Sequence, residues 1–567
     1  MMMGIVDVLF SQYVWNICHS PVFCLCVSSG QRQRSTKGFD GMQASQFVVI
    51  VFAVVVFHGG IQQSSGVVSA SQGLWPLPSQ VALRSPQTIQ LSPNWKCDIT
   101  IPNSPSDILN NACVRYQAYV KAPETWSTNS VKSVATVVQI KVERAELDTK
   151  LNSKTNESYE INIMNGNQSP TIELAANNVF GALRALETFS QLVDDNLTLP
   201  HITVIDSPRF QHRELLVDTA RYFLNISFLE HIIDAMSFSK LNVLHWHAID
   251  SQSFSIESKK YPLLSEKGQF KAHSHFCASD SCAYSQSDIR GLISYARARG
   301  VRVLLEVDTP GHSKSWGNAY KNMTVNFCTL NADSVPLNPT LPFTLDVVTG
   351  FISEMLNGSD PLFPDDFIHL GGDEVDLSCW NKNKNILAYM KKNNLTAATL
   401  LSQWIQDVRS RIYGSVDKKN IMYWEDAFNY TSSSVDNTTI FAVWRDKRTL
   451  HSITKAGSQS TLSAGWYIHA QSKWTDFYDN EPFDNTWSTK EKSLVHGGAV
   501  SYWGCSGFCP FPYTAEKFDG RTWPVSCAAA ERLWSNENVT SHDQALPRLT
   551  AHTKRLFDRG VRVGKLK

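Results

Sequence analysis

The sequence predicts a (β/α)8 barrel preceded by a smaller α+β domain. Three observations lead there. Apolar, strand-like runs recur from Arg213 onward, and the gaps between them are long enough for helices. The runs end in polar or aromatic residues, as barrel strands do at the face where enzymes build their sites. Before Arg213 the runs are short and alternating, with one helical stretch among them.

The chain has 567 residues, enough for two or three domains. Lys+Arg and Asp+Glu both number 52, so there is no basic field to attract nucleic acid and no nucleic-acid partner is expected. Trp occurs 16 times, and Trp faces can stack on sugars as well as fill cores.

Residues 47–57, "FVVIVFAVVVF", follow Arg32, Arg34 and Lys37. The run is short for a bilayer span and fits the apolar region of a signal peptide, with a cleavage site at Val68–Ala70. A retained membrane anchor through 47–57 is the rival reading. Residues 1–70 are therefore assigned to a signal segment with an N-terminal extension, 71–206 to the α+β domain and 207–567 to the barrel. Asn-x-Ser/Thr sequons at Asn156, Asn196, Asn225, Asn322, Asn357, Asn394, Asn429 and Asn538, among others, fit a lumenal protein, lysosomal or secreted. The cysteines after Ala70 show no metal spacing and read as disulfides. Cys97/Cys113 and Cys277/Cys282 are near enough to close small loops, and the odd count leaves one thiol over.

Along the chain, 71–95 is rich in Ser, Pro and Gln and reads as an extended lead-in. Residues 133–143 and 157–163 alternate as strands, and 177–193 has helical spacing with Asn as its cap. The barrel strands are expected at 213–220, 242–250, 301–312, 366–374, 420–428, 439–446, 461–468 and 499–504, with helices visible at 286–300 and 397–414.

One stretch stands out, Ile368–Val375, "IHLGGDEV". Gly371 and Gly372 mark where a strand ends and the backbone bends or something comes close. Asp373 and Glu374 then stand side by side. Two carboxylates in different surroundings can hold different pKa values, so one can act as acid and the other stay ionised. At the other strand ends lie Arg221, His245, His247, Asp250, Asp308, His312, His369, Trp424, Trp444, Tyr467 and Trp503. The set contains no Gly-x-Ser-x-Gly elbow and no clear metal set, and no cofactor is expected. A His/Asp metal hydrolase is the competing reading. Carboxylates with aromatics favour glycoside hydrolysis.

In "HLGGDEV", "DTPGH", "LHWH" with Asp250 and "QSF", and "ERLW" (531–534), the chain resembles glycoside hydrolase family 20, the β-N-acetylhexosaminidases, over roughly residues 75–565. The resemblance implies retaining hydrolysis in which the sugar's own acetamido oxygen attacks the anomeric carbon, giving an oxazolinium ion. It implies Glu374 as general acid/base, Asp373 as the group orienting the acetamido N–H and Tyr467 as the phenol on its oxygen. It implies Asp250 and His312 as a supporting pair, Arg221 on the sugar hydroxyls and Trp424, Trp444 and Trp503 as aromatic walls. His369 is placed with the substrate-binding residues. A Cys328–Cys379 disulfide is implied too. The partner implied is a glycan ending in N-acetylhexosamine; a homodimer is compatible with the sequence.

Two departures from the family pattern concern the outer sugar hydroxyls. His469 stands near a hydroxyl-binding acid, and Ala499 and Cys505 replace acids. A lectin-like paralogue with weak or no turnover is the alternative function. The expected arrangement there is a Cys505–Cys509 disulfide with Cys527 left as a buried free thiol, or else a Cys505–Cys527 bond.

Overall fold

The computed structural model describes residues 73–567 apart from 103–105, 122–133, 144–150, 167–168, 326–327, 329–333, 416–418, 432–437, 470 and 505–513. The 47–57 segment and the proposed Cys505–Cys509 bond lie outside the described residues. Among those described, no helix is long and apolar enough to cross a membrane.

The first unit contains β1 (Gln80–Thr100), helix α1 (Asp107–Tyr119), β2 (Val134–Val142), β3 (Tyr159–Asn165), β4 (Pro170–Ala176), helix α2 (Val179–Leu192) and β5 (Thr198–Asp206). Its sheet runs β1-β2-β4-β3-β5 and closes on β1. The 21-residue β1 was expected to be an extended lead-in for most of its length. It pairs antiparallel with β5 through Gln80–Gln90 and parallel with β2 through Gln90–Thr100. Its Ser/Pro/Gln composition hides a strand because few of its side chains, chiefly Ile89, Leu91 and Trp95, enter the core. Helix α2 starts where expected, with Asn178 accepting from the amides of Phe180 and Gly181. It is buried along its whole length, which a surface helix never is.

The barrel strands are β6 (His212–Asp218), β7 (Val243–His247), β8 (Arg302–Glu306), β9 (Phe367–His369), β10 (Asn420–Trp424), β11 (Thr439–Val443), β12 (Gln459–Leu462) and β13 (Val495–Tyr502). All are parallel and close in chain order, with β13 beside β6. The intervening helices include α3 (Ile226–Phe238), α4 (Gln286–Arg297), α5 (Pro342–Leu356), α6 (Ala397–Ser415) and α7 (Lys447–Lys455), with α8 (Val525–Trp534) and α9 (His542–Asp558) after β13. The regular strand–helix alternation fails after β10 and β12, whose crossovers carry only short helical turns among the described residues. The eighth strand also begins earlier than expected, at Val495. Gly497 and Gly498 obscured it, yet Gly497 is there because its backbone packs directly on the His212 carbonyl.

The two units share a junction of buried charge. Glu157 from the small domain lies 2.8 Å from Arg184 on α2 and 2.7 Å from Arg213 on β6. Arg184 also donates to the Gly300 carbonyl at 2.7 Å. The "ERLW" motif belongs to this junction. Glu531 pairs with Arg548 at 2.6 Å and accepts the Leu77 amide at 2.8 Å, while the Trp534 indole donates to Asp206. Burial alone would raise the Glu157 pKa, but Arg213 and Arg184 pull it below its usual range. Removing this one acid leaves two buried guanidiniums with no counter-charge from it and only carbonyl acceptors such as those of Gly300, Lys240 and Phe210. Glu157→Ala is expected to destabilise the protein by about 3–5 kcal/mol in denaturant unfolding. A change below about 1 kcal/mol would show that water or neighbouring carbonyls already satisfy the two arginines.

Disulfides form between Cys97 and Cys113, Cys277 and Cys282, and Cys328 and Cys379, the last as the resemblance implied. Cys527 on α8 is buried and unpaired, against a bond to Cys505.

Candidate active site

β9 ends at His369, and the backbone then turns through Gly371 at φ +62° and Gly372 at φ +87°. Both are left-handed conformations that favour glycine. A Cβ on Gly371 would also lie 1.9 Å from Asp308 Oδ1, so both the bend and the close approach are real. Glu374 itself sits at φ +47° and His312 at φ +48°. Neither is glycine, so the surrounding structure holds both in uncommon backbone states, a cost found mostly at functional sites.

The turn separates the two acids. The Asp373 side chain is 15% exposed and the Glu374 side chain 45%. His312 stands behind both, with Nε2 3.7 Å from Asp373 and 3.5 Å from Glu374. Its Nδ1 lies 3.2 Å from Asp250 Oδ1. Asp250 Oδ2 is 2.7 Å from the Arg221 guanidinium and 2.9 Å from His247 Nε2. Asp218 fixes Arg221 from the other side at 3.0 Å. The supporting pair and the arginine are therefore one connected unit.

Barrel register assembles the layer beneath. Asp218, His247, Glu306 and His369 are direct neighbours across β6, β7, β8 and β9. Glu306, absent from the sequence-predicted set, lies 2.5 Å from His247 Nδ1 and accepts the Trp424 indole N–H at 2.8 Å.

The aromatic walls meet around this layer. Trp424 and Trp503 have ring centroids 5.9 Å apart, and Trp444 and Tyr467 are 6.3 Å apart. The Trp444 indole donates to Asp426 at 2.9 Å, and Arg445 stacks on the Trp444 ring. Tyr467 lies beyond β12 and bridges to Ser501 of β13. His369 differs from expectation. It is fully buried, 4.7 Å from the Trp424 ring, with Nδ1 accepting the Gly371 amide at 3.1 Å, so it braces the wall and turn instead of lining the cleft. His469 is exposed beside Tyr467 and borders a cavity lined by Arg521, Lys565 and Lys567. Ala499 is buried in the middle of β13 opposite Glu214, so its missing acid is no loss to the outer hydroxyls. Cys505 lies outside the described residues.

The charges alternate. Burial disfavours the imidazolium of His312, but Asp250 and Asp373 push its pKa well above the usual range. The His312 imidazolium, 3.5 Å away, draws Glu374 below the usual range. Burial pushes Asp373 up to about 6, helped by Glu306 and Asp426 and opposed by His312. Asp308 is raised well above its usual range by burial and by Asp373. The two adjacent carboxylates thus move in opposite directions.

His245, Glu306 and His369, and separately Asp308, His312 and Asp373, bring ligand-type atoms within 4.8 Å of one another. In the first set Glu306 is already engaged by His247 and Trp424; in the second Asp308 accepts the Gly372 amide at 3.0 Å, while Asp373 Oδ1 and His312 Nε2 have no hydrogen-bond partner.

The comparisons agree with this geometry. Residues 210–537 match the model for "Glycosyl hydrolase family 20, catalytic domain", and 74–192 match "beta-acetyl hexosaminidase like". The chain is 36% identical to pig (Sus scrofa) β-hexosaminidase subunit β over 537 residues, covering 90% of this chain and 95% of that one. It is 37% identical to the human (Homo sapiens) subunit β, covering 87% of this chain and 89% of that one. The crystal structure of a Flavobacterium johnsoniae chitobiase superposes with a TM-score of 0.73 at 28% identity, covering 86% of this chain and 73% of that one. The chain therefore belongs to glycosyl hydrolase family 20, the glycoside hydrolases that include the β-hexosaminidases.

Proposed function

We propose that the protein removes terminal non-reducing N-acetyl-β-D-hexosamine residues with retention, the substrate's acetamido oxygen acting as nucleophile. The observation that carries this reading is Asp373 Oδ1, a buried oxygen with no hydrogen-bond partner, adjacent in the chain to Glu374 and near enough to Tyr467 to act on its phenol. A buried orphan acceptor is costly unless a ligand donor completes it. An acetamido N–H is such a donor. Tyr467, its phenol pushed to higher pKa by burial, stays protonated and can donate to the acetamido oxygen.

Glu374 then has to protonate the leaving oxygen, although His312 draws its pKa down. In the free enzyme the proton resides on His312, 3.5 Å from the Glu374 carboxylate. A bound sugar removes water from the half-exposed Glu374, which favours its neutral form, and the proton can pass from His312 Nε2. After the aglycone leaves, the same carboxylate takes a proton from the attacking water. The three disulfides and the exposed sequons, Asn196 and Asn538 among them, support a location in the secretory pathway, lysosomal or secreted.

The test compares an aryl N-acetyl-β-glucosaminide with the plain aryl β-glucoside. The glucoside is expected to be almost inert, and a thiazoline mimic of the oxazolinium ion to bind far more tightly than the substrate. Equal rates on the two glycosides would point to a nucleophile carried by the enzyme.

A further inference from the structure

Glu306 is wholly buried at the end of β8, following Val303, Leu304 and Leu305. Filling a barrel interior does not require a carboxylate, and an ionised one is costly there unless donors surround it. Here they do. His247 Nδ1 lies 2.5 Å from Oε2 and the Trp424 indole donates to Oε1 at 2.8 Å, with the His245 ring 3.0 Å from Oε2 as a further positive neighbour.

From His247 a row of alternating imidazoles and carboxylates leads toward the surface, hydrogen-bonded as far as His312 and ending in a 3.5 Å ion-pair contact with Glu374. It runs from His247 Nε2 to Asp250 at 2.9 Å, from Asp250 to His312 at 3.2 Å, and from His312 to Glu374 at 3.5 Å. Asp250 lies between two imidazoles, and Glu374 ends the row. We propose that Glu306 is a positioning residue for proton transfer, acting on Glu374 through His247, Asp250 and His312. This rests on the reading of Glu374 as the acid/base. Glu306 supports the imidazolium form of His247, whose pKa is raised well above its usual range although burial opposes this. A charged His247 and Arg221 together hold Asp250 Oδ2, leaving Oδ1 to orient His312.

Glu306→Gln tests the idea while keeping the shape. The amide oxygen can still accept from Trp424 and the amide nitrogen can face His247 Nδ1, which must then accept and be neutral. Glycosides whose leaving groups need a proton should suffer, and those that leave unaided should not. On a methyl N-acetyl-β-glucosaminide kcat/KM is expected to fall about tenfold or more, and on the dinitrophenyl glycoside by less than about threefold. Affinity for the thiazoline mimic should stay within about threefold, because the Trp424 contact survives. In a Glu374→Gln background the added effect of Glu306→Gln should shrink to less than about threefold, since the two act as one unit.

Equal losses on both glycosides, or the same factor in both backgrounds, would make Glu306 a structural residue and overturn the proposal. Glu374→Gln is the separate control. If it alone fails to slow the methyl glycoside more than the dinitrophenyl one, the acid/base reading itself falls, and this inference with it.

Discussion

Glu374→Gln is expected to slow turnover by about 10²–10⁴-fold with no change in melting temperature. The carboxylate makes little contribution to folding. Its side chain is 45% exposed and its contact with His312 spans 3.5 Å. The turn that holds it is fixed elsewhere, by the Gly372 amide on Asp308 and the Glu374 amide on Asp426. An isosteric amide keeps all of that and loses only the ability to give and take a proton. The measurement is kcat on a chromogenic N-acetyl-β-glucosaminide alongside a thermal melt. Activity within about threefold of wild type at an unchanged melting temperature would remove Glu374 from the acid/base role.

The barrel was legible because most of its strands carry an apolar run and each end carries a polar or aromatic marker. A strand such as 301–312 could be recognised from "VRVLLEV" alone. Its most connected acid could not. Glu306 sits two positions before Asp308, inside the strand, where a single acid looks like a residue facing away from the core. Only register places it between His247 and His369. The same limit applied to His369, whose position after an apolar pair suggested a cleft residue. Its ring instead packs under Trp424. β1 was missed for the opposite reason: a strand that contributes few side chains to the core carries little hydrophobic signal. Ala499 misled because a motif difference says nothing of depth, and depth decides whether a missing acid faces a sugar.

What the sequence suggested from adjacency, two acids with different proton affinities, the structure explains by exposure. The φ +47° turn at Glu374 sends one carboxylate toward water and His312. Its neighbour stays mostly buried, close to Asp308 and within the field of Glu306 and Asp426. Asp308, held neutral by its raised pKa, can donate a proton to Asp373, so the pair holds one negative charge where two would repel.

That charge makes Asp373 the subject of the other large effect. In the role proposed for it, meeting the acetamido N–H and balancing the positive oxazolinium, it must be ionised. Asp373→Asn should therefore lower kcat/KM by about 10²–10³-fold on N-acetylhexosaminides. The pH dependence follows with a definite sign. Because the Asp373 pKa is pushed up to about 6, the active anion is lost as pH falls through that value, and wild-type kcat/KM should decline on the acidic side of pH about 6. The Asn variant, having no proton to gain there, should lose that limb. Asp308→Asn replaces a neutral carboxylic acid that donates to the Asp373 anion with a weaker amide donor and should move the limb to higher pH. A pH profile of kcat/KM for the three proteins decides the matter. A wild-type profile that stays flat through pH about 6, or a limb that persists in Asp373→Asn, would assign the ionisation to another group, with Asp308 the first to examine.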